Sequence, residues 1–289
     1  MNDTPVFGLQ QDSDGIYGHP PINQAQTGEL LFRESITYAT APGNTLMAIG
    51  RHHSIPVMDR EVRRFIEHLP LNARIVDVGG GWGWHWRNLY QFRPDIQVFI
   101  VDLVRSNLLR AKVVLEPQVG SSVFLVHGDA LALEFPASSF DGYWSVQTLQ
   151  HIPDLGQALG EARRVLKAGG QFANYSLNVQ PLIRLMLRAV RRPYVTDGEY
   201  DDHLYLRRAT AREEHTTSEC FNAPVSHRYS EFLFQPNLRT TFTGREHSTL
   251  GKLDSFLSTS NPLLGSLARQ QSFHCVAGAK VSGGSQLLN

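Results

Sequence analysis

The chain has 289 residues, a length that fits either two domains or one large α/β domain. Hydrophobic residues make up 42% and charged residues 19%, which is ordinary globular composition and excludes a generally disordered chain. Lys plus Arg and Asp plus Glu number 27 each, and this balance disfavours strong nonspecific nucleic-acid binding. Two cysteines, Cys220 and Cys275, are too few for a zinc ribbon or a disulfide framework. No apolar run or leader pattern resembles a membrane span or a secretory signal, so we expect a soluble, cytoplasmic protein.

Residues 1–55 are polar and rich in Gly, Pro, Asn and Thr. We expect them to form an N-terminal arm or cap that orders over a site. From Pro56 to Leu69 the apolar residues recur at helical spacing, which predicts a helix. This helix opens a core that we place at residues 56–178.

Short apolar runs then alternate with helical patterns. Five runs with nearly continuous apolar character, typical of strands covered on both faces, predict strands at residues 73–78, 97–102, 122–127, 141–146 and 171–176. One intervening helix is expected to begin after a cap at Asp154 and to end at Gly169 and Gly170. The alternation predicts a doubly wound α/β fold: a seven-stranded, mostly parallel sheet with helices on both faces.

The pattern becomes irregular after the fifth strand. An insertion at this point lies above the carboxyl ends of the strands, where open α/β sheets bind ligands. We therefore predict that residues 179–235 cap the substrate. Apolar runs at Asn237–Thr243 and Ser272–Gly278, with a helix from Ser248 to Leu257 between them, place the completion of the sheet in residues 236–280. Residues 281–289 are expected to form a disordered tail.

A glycine-rich turn follows the first predicted strand, with glycines at 79, 80, 81 and 83. Glycines suit a sharp turn that a ligand approaches closely, and the start of a helix adds free N–H groups. Asp102 ends the next strand, where a carboxylate can accept hydrogen bonds from two ribose hydroxyls. Trp84 stands where the dinucleotide fingerprint has its third glycine, which disfavours an NAD-dependent oxidoreductase.

The spacing D-x-G-x-G-x-G from Asp77 to Gly83 resembles motif I of the class I S-adenosylmethionine-dependent methyltransferases. Further segments resemble later motifs of that family, in the family's order. They are Gly128–Asp129–Ala130, Ser139–Phe140–Asp141, Leu149–Asp154 and Glu161–Gly170, the last with Ala168 in place of the usual proline. The closest resemblance is to the small-molecule group that includes ubiquinone and menaquinone methyltransferases. It implies a Rossmann-like core and S-adenosyl-L-methionine as cofactor, with S-adenosyl-L-homocysteine as product.

The resemblance also implies roles for single residues. Asp129 would contact the adenine amino group, and the backbone at Ser145 and Val146 would meet the methionine amino group. Leu103, next to Asp102, either packs against adenine or belongs to the core. The predicted cofactor-binding residues are Asp77, Gly79, Gly80, Gly81, Trp82, Gly83, Asp102, Leu103, Asp129, Ala130, Ser145 and Val146.

Three tryptophans, at 82, 84 and 86, crowd the same loop. They either pack the following helix on the sheet or, for Trp82 or Trp86, line the methionine end of the cofactor. His85 between them is expected to be exposed or to cap a helix. His151 is the candidate catalytic base, because histidine titrates near neutral pH; the same histidine is often structural in the family.

Two clusters carry possible metal ligands: Asp201–Asp202–His203 and Glu213–Glu214–His215. Adjacent residues on a helix or strand point apart, so a solvated charged face is the favoured interpretation and no metal site is predicted. A basic amphipathic helix at residues 181–192 is either a packed lid or a contact with a membrane or a lipid-linked acceptor.

Together these features predict methyl transfer to an O, N or C atom of a small-molecule acceptor, with a lipid- or quinone-like acceptor as a candidate. The alternatives are a protein or RNA methyltransferase and a non-catalytic S-adenosylmethionine-binding protein, since fold alone does not determine activity. Neutral charge without an added basic domain argues against RNA. The motifs do not specify the acceptor or the oligomeric state.

Overall fold

The computed structural model describes residues 6–20, 30–35, 41–200, 204–236 and 243–278. Its strands are β1 (Arg74–Val78), β2 (Gln97–Asp102), β3 (Val123–His127), β4 (Phe140–Val146), β5 (Leu166–Leu177), β6 (Asp197–Tyr200), β7 (Leu204–Arg207), β8 (Ser226–Ser230) and β9 (Gln270–Val276). Seven of them form one sheet in the order β3-β2-β1-β4-β5-β9-β8. The pairs among β1 to β5 are parallel, and β9 runs antiparallel to both of its neighbours. The predicted seven-stranded, mostly parallel sheet is confirmed.

The longer helices are α1 (Ile55–Glu67), α2 (Arg105–Val114), α3 (Leu155–Val165), α4 (Pro181–Ala189), α5 (Ala211–Phe221) and α6 (Thr249–Leu257). Shorter helical turns lie at Val6–Gly8, 30–35, Pro42–Asn44, Thr45–Ile49, Trp84–Trp86, Leu89–Phe92, Leu149–His151 and Pro262–Gly265. Asp154 caps α3 as predicted, because its side chain accepts a hydrogen bond from the Gln157 N–H. Within the described residues, no helix is long and apolar enough to cross a membrane.

Both faces of the sheet are buried. Ile75 and Val76 are neighbours on β1, and they pack into two different cores. The core around Ile75 includes Phe65 of α1 and Trp144 of β4. Alternate side chains of one strand are thus removed from water on opposite faces, which explains the continuous apolar runs in the sequence.

The N-terminal arm packs against the sheet edge. The Tyr17 N–H donates to the Leu125 carbonyl at 2.9 Å, and the His127 N–H donates to the Tyr17 carbonyl at 2.7 Å. Phe7 contacts Phe99 with a ring-centroid distance of 5.3 Å. Residues 6–20 therefore cover the outer edge of β3 and satisfy part of its backbone.

Two elements differ from the sequence-based prediction. The strand beyond β9 is Ser226–Ser230, inside the range predicted as the cap, whereas most of the run at Asn237–Thr243 lies outside the described residues. In addition, α3 ends at Val165 and β5 starts at Leu166, so Gly169 and Gly170 lie in a strand instead of ending a helix. A shift of the β4–β5 register between Phe140 and Gly142 allows this early start.

Candidate functional site

The carboxyl ends of neighbouring parallel strands meet in one crevice. The Gly79 N–H donates to the Val101 carbonyl of β2 at 2.7 Å, which joins the glycine loop after β1 to β2. Thr148 Oγ1, after β4, donates to the Gly79 carbonyl at 3.2 Å. The Gly128 N–H, after β3, donates to the Asp102 carbonyl at 3.2 Å. The ends of β1 to β4, which carry all the predicted cofactor residues, are thus brought together.

Three of the loop glycines are required by packing against other parts of the protein. A Cβ atom on Gly79 would lie 2.0 Å from Thr148 Oγ1, and one on Gly80 would lie 2.5 Å from Asp77 Oδ2. A Cβ atom on Gly83 would lie 2.6 Å from a methyl group of Leu115. These distances are too short for any side chain, so these glycines let the loop approach the rest of the fold.

Gly81 is different. Its φ is +55°, and a Cβ atom there would meet no described atom within 4 Å. Its N–H donates to Asp102 Oδ2 at 2.8 Å. Gly81 therefore presents bare backbone to open space beside a carboxylate, which fits a ligand that approaches closely.

Asp102 is buried and has several donors around it. Oδ1 accepts from the Val104 N–H at 2.8 Å and from Asn107 Nδ2 at 3.2 Å. Burial raises the pKa of Asp102, while these hydrogen bonds and the one from Gly81 oppose the rise. The Asp102 carboxylate thus stabilises the start of α2 and lies in the crevice. Sequence reasoning missed Asn107, whose position in the first turn of α2 was the only signal.

Asp77 lies beneath the loop. Its Oδ2 accepts from Trp86 Nε1 at 2.7 Å, whereas its Oδ1 is buried without a hydrogen-bond partner among the described residues. Burial raises the pKa of Asp77 to about 7. A buried acceptor without a partner has an energetic cost that a donor on a bound ligand, or a water, would relieve.

The tryptophans serve mainly as packing groups. Trp84 and Trp86 are buried, and Trp82 is half-buried and donates through Nε1 to Asn107 Oδ1 at 3.0 Å. The expectation for His85 was wrong: its ring is buried and stacks on Trp84 at 3.9 Å between centroids. The loop continues into a short 3-10 turn instead of the predicted α-helix, and this turn directs His85 inward.

The residues after β2 and β3 flank the other side of the crevice. Leu103 is half-buried, and its carbonyl contacts His127 Nε2 at 3.1 Å. Asp129 Oδ1 accepts from the Leu131 N–H at 2.9 Å, which forms a local turn, and Ala130 is buried. Leu103, Asp129 and Ala130 thus lie at the adjacent ends of β2 and β3, next to Asp102.

The end of β4 faces the glycine loop. The hydroxyl of Ser145 donates to the Val78 carbonyl at 2.9 Å, so its side chain is occupied by β1. Val146 is buried, and its carbonyl shares the hydroxyl proton of Thr148 with the Gly79 carbonyl, each at 3.2 Å from Oγ1. Gln147 has a φ of +52°, an unusual conformation for a residue other than glycine, which turns the chain sharply after the strand.

His151 has hydrogen-bond partners at both ring nitrogens. Nδ1 contacts the Tyr205 carbonyl at 2.7 Å, and Nε2 contacts the Gln150 amide nitrogen at 3.1 Å. A neutral ring that donates from Nδ1 and accepts at Nε2 satisfies both contacts. Burial lowers the pKa of His151 to about 4, and the positive charge of Arg33 lowers it further. This geometry suits a positioning group better than a base that must exchange protons with an acceptor.

A hairpin of the predicted cap forms a roof over the turn that follows β4. Strands β6 and β7 pair antiparallel, and Arg207 at the end of β7 is buried. Its guanidinium donates to the carbonyls of Leu149 at 3.1 Å, Ile152 at 2.7 Å and Pro153 at 3.3 Å. Sequence reasoning missed Arg207, because its partners lie in a loop that only the folded chain brings near.

The arm approaches the same crevice. The positive charge of Arg33, in the helical residues 30–35, acts on the pKa of both Asp102 and His151.

Of the two acidic and histidine clusters, the structure describes one, Glu213–Glu214–His215. Asp201–Asp202–His203 lies outside the described residues. Glu213 is buried and accepts from Asn174 Nδ2 at 3.0 Å, so it is not part of a solvated face. Glu214 pairs with His227 at 3.0 Å and His215 with Glu219 at 3.3 Å. In the parts of the chain that the structure describes, no three His, Cys, Asp or Glu side chains form a metal-binding group.

The sheet order, the glycine loop and Asp102 define the class: a Rossmann-like fold with a nucleoside-binding crevice at its strand ends. A family model described as "Methyltransferase domain" matches residues 76–174. The demethylmenaquinone methyltransferase of Roseiflexus castenholzii is 33% identical over 172 residues, which cover 57% of this chain and 67% of that protein. The chain therefore belongs to the class I S-adenosylmethionine-dependent methyltransferases, most like the group that includes the ubiquinone and menaquinone methyltransferases.

Two other similarities agree with this assignment. The chloroplastic 2-methyl-6-phytyl-1,4-hydroquinone methyltransferase 2 of Oryza sativa subsp. japonica is 34% identical over 97 residues, 34% of this chain and only 27% of that protein. A Haloferax volcanii structure of a complex with the Trm112 methyltransferase activator matches with a TM-score of 0.52 at 18% identity, covering 77% of this chain and 90% of that one. At this identity the structural match shows the fold alone. S-adenosyl-L-methionine is the cofactor of this family, and Gly81, Asp102 and the unpartnered oxygen of Asp77 fit it.

Proposed function

We propose that this protein transfers a methyl group from S-adenosyl-L-methionine to a small, apolar acceptor of the quinol type. The observation that carries the proposal is Gly81, whose bare backbone faces open space beside the buried carboxylate of Asp102. When bound, the cofactor supplies a methyl group activated by a sulfonium, which the acceptor takes in exchange for a proton, leaving S-adenosyl-L-homocysteine. The chain itself needs to hold both reactants in line and exclude water.

We assign the cofactor contacts to the predicted residues in the crevice. Asp102 would accept hydrogen bonds from the ribose hydroxyls, and Asp129 with Leu103 would contact the adenine. The oxygen Oδ1 of Asp77 is the acceptor available to the amino group at the methionine end. The glycine loop and the strand ends would thus surround the cofactor on the side away from the hairpin β6–β7.

The acceptor class is supported by two kinds of observation. The two curated relatives described above are named for quinone and hydroquinone substrates. In addition, the hairpin β6–β7 lies over the turn Leu149–His151, where it can shield an apolar acceptor from water. The balanced charge of the chain favours such an acceptor over RNA.

We propose that His151 acts as a positioning residue instead of the catalytic base. Its two contacts join the turn after β4 to the hairpin, and a neutral ring is required for both. Proton loss from a quinol acceptor then needs no contribution from His151. A raised acceptor KM with an unchanged kcat in His151→Ala is the expected signature, because a catalytic base would lower kcat.

The activity is tested with S-adenosyl-L-methionine carrying a tritiated methyl group. Demethylmenaquinol and 2-methyl-6-phytyl-1,4-hydroquinol serve as acceptors, with bulk tRNA and a protein extract as competitors. We expect label in the organic extract with at least one quinol. Label only in RNA or protein would contradict the quinol assignment, and binding of S-adenosyl-L-homocysteine without any turnover would support a non-catalytic role.

A further inference from the structure

Helix α4 carries an apolar stripe that faces away from the protein. Ile183 is buried and Leu187 is half-buried, so these two residues attach the helix to the fold. Next to them, four large apolar side chains are exposed: Leu182 at 56%, Leu185 at 64%, Met186 at 46% and Val190, the C-cap residue, at 64%. Their spacing places them on one face of the helix. A contiguous exposed apolar face of this kind marks an interaction surface.

A basic stripe runs beside the apolar one. Arg184 and Arg188 lie one turn apart on α4, and Arg191 and Arg192 follow the end of the helix; all four are exposed. No ion pair joins any of these arginines to another residue in the part of the chain that the structure describes. Their charges are therefore available to a partner, which must offer negative groups next to an apolar region.

The turn near Pro262–Gly265 extends the apolar face. Leu263 is 84% exposed, Leu264 is 50% exposed and Leu267 is 52% exposed. This turn is held next to the start of α4, because Gln180 Nε2 donates to the Leu267 carbonyl at 3.2 Å and Asn178 Nδ2 donates to the Gly265 carbonyl at 2.7 Å. We define the docking surface as the exposed residues of α4, Arg191, Arg192 and the three leucines at 263, 264 and 267.

We propose that the docking surface binds the surface of an anionic phospholipid bilayer, an interaction that goes beyond the proposed activity. The leucines and Met186 would enter the boundary between headgroups and acyl chains, and the arginines would pair with lipid phosphates. A second copy of the chain fits less well. A two-fold symmetric dimer would bring the four arginines of each docking surface into one interface, where the docking surface offers no acidic residue to pair with them.

The position of the surface connects it to the crevice. Helix α4 begins shortly after β5, and the N–H of Leu177, at the end of β5, donates to Gln150 Oε1 at 2.8 Å in the turn after β4. Docking would therefore hold the roofed side of the crevice near the bilayer. An apolar acceptor dissolved in the bilayer would have a short path to the site.

The binding is tested by sedimentation of the full chain with vesicles. Phosphatidylcholine vesicles are compared with vesicles of phosphatidylcholine and phosphatidylglycerol at a ratio of 7 to 3. We expect strong binding only with the anionic lipid, and weaker binding as the salt concentration rises. The double variant Arg184→Gln/Arg188→Gln should weaken the partition coefficient on the order of 25-fold, about fivefold for each charge near the surface. The matched control, Arg63→Gln/Arg74→Gln on α1 and β1, should bind as the wild type does.

The apolar part has its own variant pair. Leu185→Ser should reduce binding about tenfold, because burial of a leucine contributes on that scale. Leu71→Ser removes a leucine that is 81% exposed on the loop between α1 and β1, and it should have no effect. A thermal shift with S-adenosyl-L-homocysteine equal to that of the wild type shows that each variant is folded. Failure of the wild type to sediment with anionic vesicles would overturn the proposal, as would a dimer in solution that Leu185→Ser dissociates.

Discussion

Gly81 and Gly120 have the same kind of backbone conformation in different surroundings. Their φ angles are +55° and +82°, and at neither position would a Cβ atom meet a described atom within 4 Å. Gly120 precedes β3, at the amino-terminal edge of the sheet, whereas Gly81 lies in the crevice. Alanine at either position has the same backbone cost, roughly 1–2 kcal/mol.

This pair separates ligand contact from backbone strain. We expect Gly81→Ala and Gly120→Ala to lower the melting temperature by similar amounts. Only Gly81→Ala should raise the Kd of S-adenosyl-L-homocysteine, by at least about tenfold, because the added alanine methyl group occupies the space where the ligand approaches. Isothermal titration calorimetry on both variants measures this. Equal affinities would mean that Gly81 serves only the turn.

The motif around Asp77 predicted where the loop lies and that glycines are needed, but not why each one is needed. The neighbours of Gly79 and Gly83 are Thr148 and Leu115, which only the folded chain brings close. His85 was expected to be exposed or to cap a helix, because the pattern of apolar residues does not distinguish an α-helix from a 3-10 turn. The sequence motif thus predicts which residue types the loop needs. It does not predict which distant residues each of them packs against.

Among the elements, the hairpin β6–β7 makes the most direct contacts with the turn after β4, where we propose that the acceptor binds. Arg207 donates to three carbonyls of the turn after β4. In Arg207→Met those carbonyls lose their charged donor, which costs about 1–3 kcal/mol for each buried group left unpaired. We expect the KM for a quinol acceptor to rise at least about tenfold, while the Kd of S-adenosyl-L-homocysteine stays within about threefold.

Steady-state kinetics with titration calorimetry measures both quantities for Arg207→Met. The control is Arg212→Met, an exposed arginine in the first turn of α5. A variant that loses cofactor and acceptor affinity in equal measure would show that Arg207 supports the whole fold instead of the roof.

Helix α5 contributes a pH-dependent element. Burial raises the pKa of Glu213 to about 7, and the charge of Arg207 opposes the rise. A group whose folded pKa is above its unfolded value, here 4.5, contributes stability below the unfolded pKa and loses it as pH rises through the folded one. The wild type should therefore lose about 3 kcal/mol relative to Glu213→Gln between pH 4.5 and pH 8.5.

Urea unfolding of both proteins at the two pH values measures that difference. Glu219→Gln, at a carboxylate that is 68% exposed near the end of the same helix, is the matched control. A difference between wild type and Glu213→Gln that does not change with pH would mean that the Glu213 carboxyl ionises in the folded protein as it does in the unfolded chain.

Strands with continuous apolar runs were predicted within a few residues, as β2 shows at Gln97–Asp102. The strand β8 was not, because SHRYS alternates polar and aromatic residues and lacks such a run. It lies at the edge of the sheet, where β9 is its one neighbouring strand among the described residues. The early start of β5 was also missed, since its pairing with β4 overrides the glycines at 169 and 170.

Over the whole molecule, the order of the strands explains how residues far apart in the sequence share one crevice. Strand β1 lies between β2 and β4, so the glycine loop is flanked by Asp102 on one side and by the turn Leu149–His151 on the other. The net charge of the chain is zero, although the arginines of α4 form a locally basic surface. Composition alone does not reveal such a local excess of charge. The cytoplasmic location and the boundaries of the arm and cap stay predictions.

The central claim is that the crevice binds the adenosyl cofactor, and a thermal-shift comparison tests it most directly. S-adenosyl-L-methionine, S-adenosyl-L-homocysteine and NAD are each added to the wild type and to Asp102→Ala. A ligand at a hundred times its Kd adds about 2.7 kcal/mol of stability, which raises the Tm by roughly 5 °C or more. We predict that shift with the two adenosyl ligands in the wild type, none with NAD, and none in Asp102→Ala. A shift with NAD alone, or with none of the three ligands, would contradict the account.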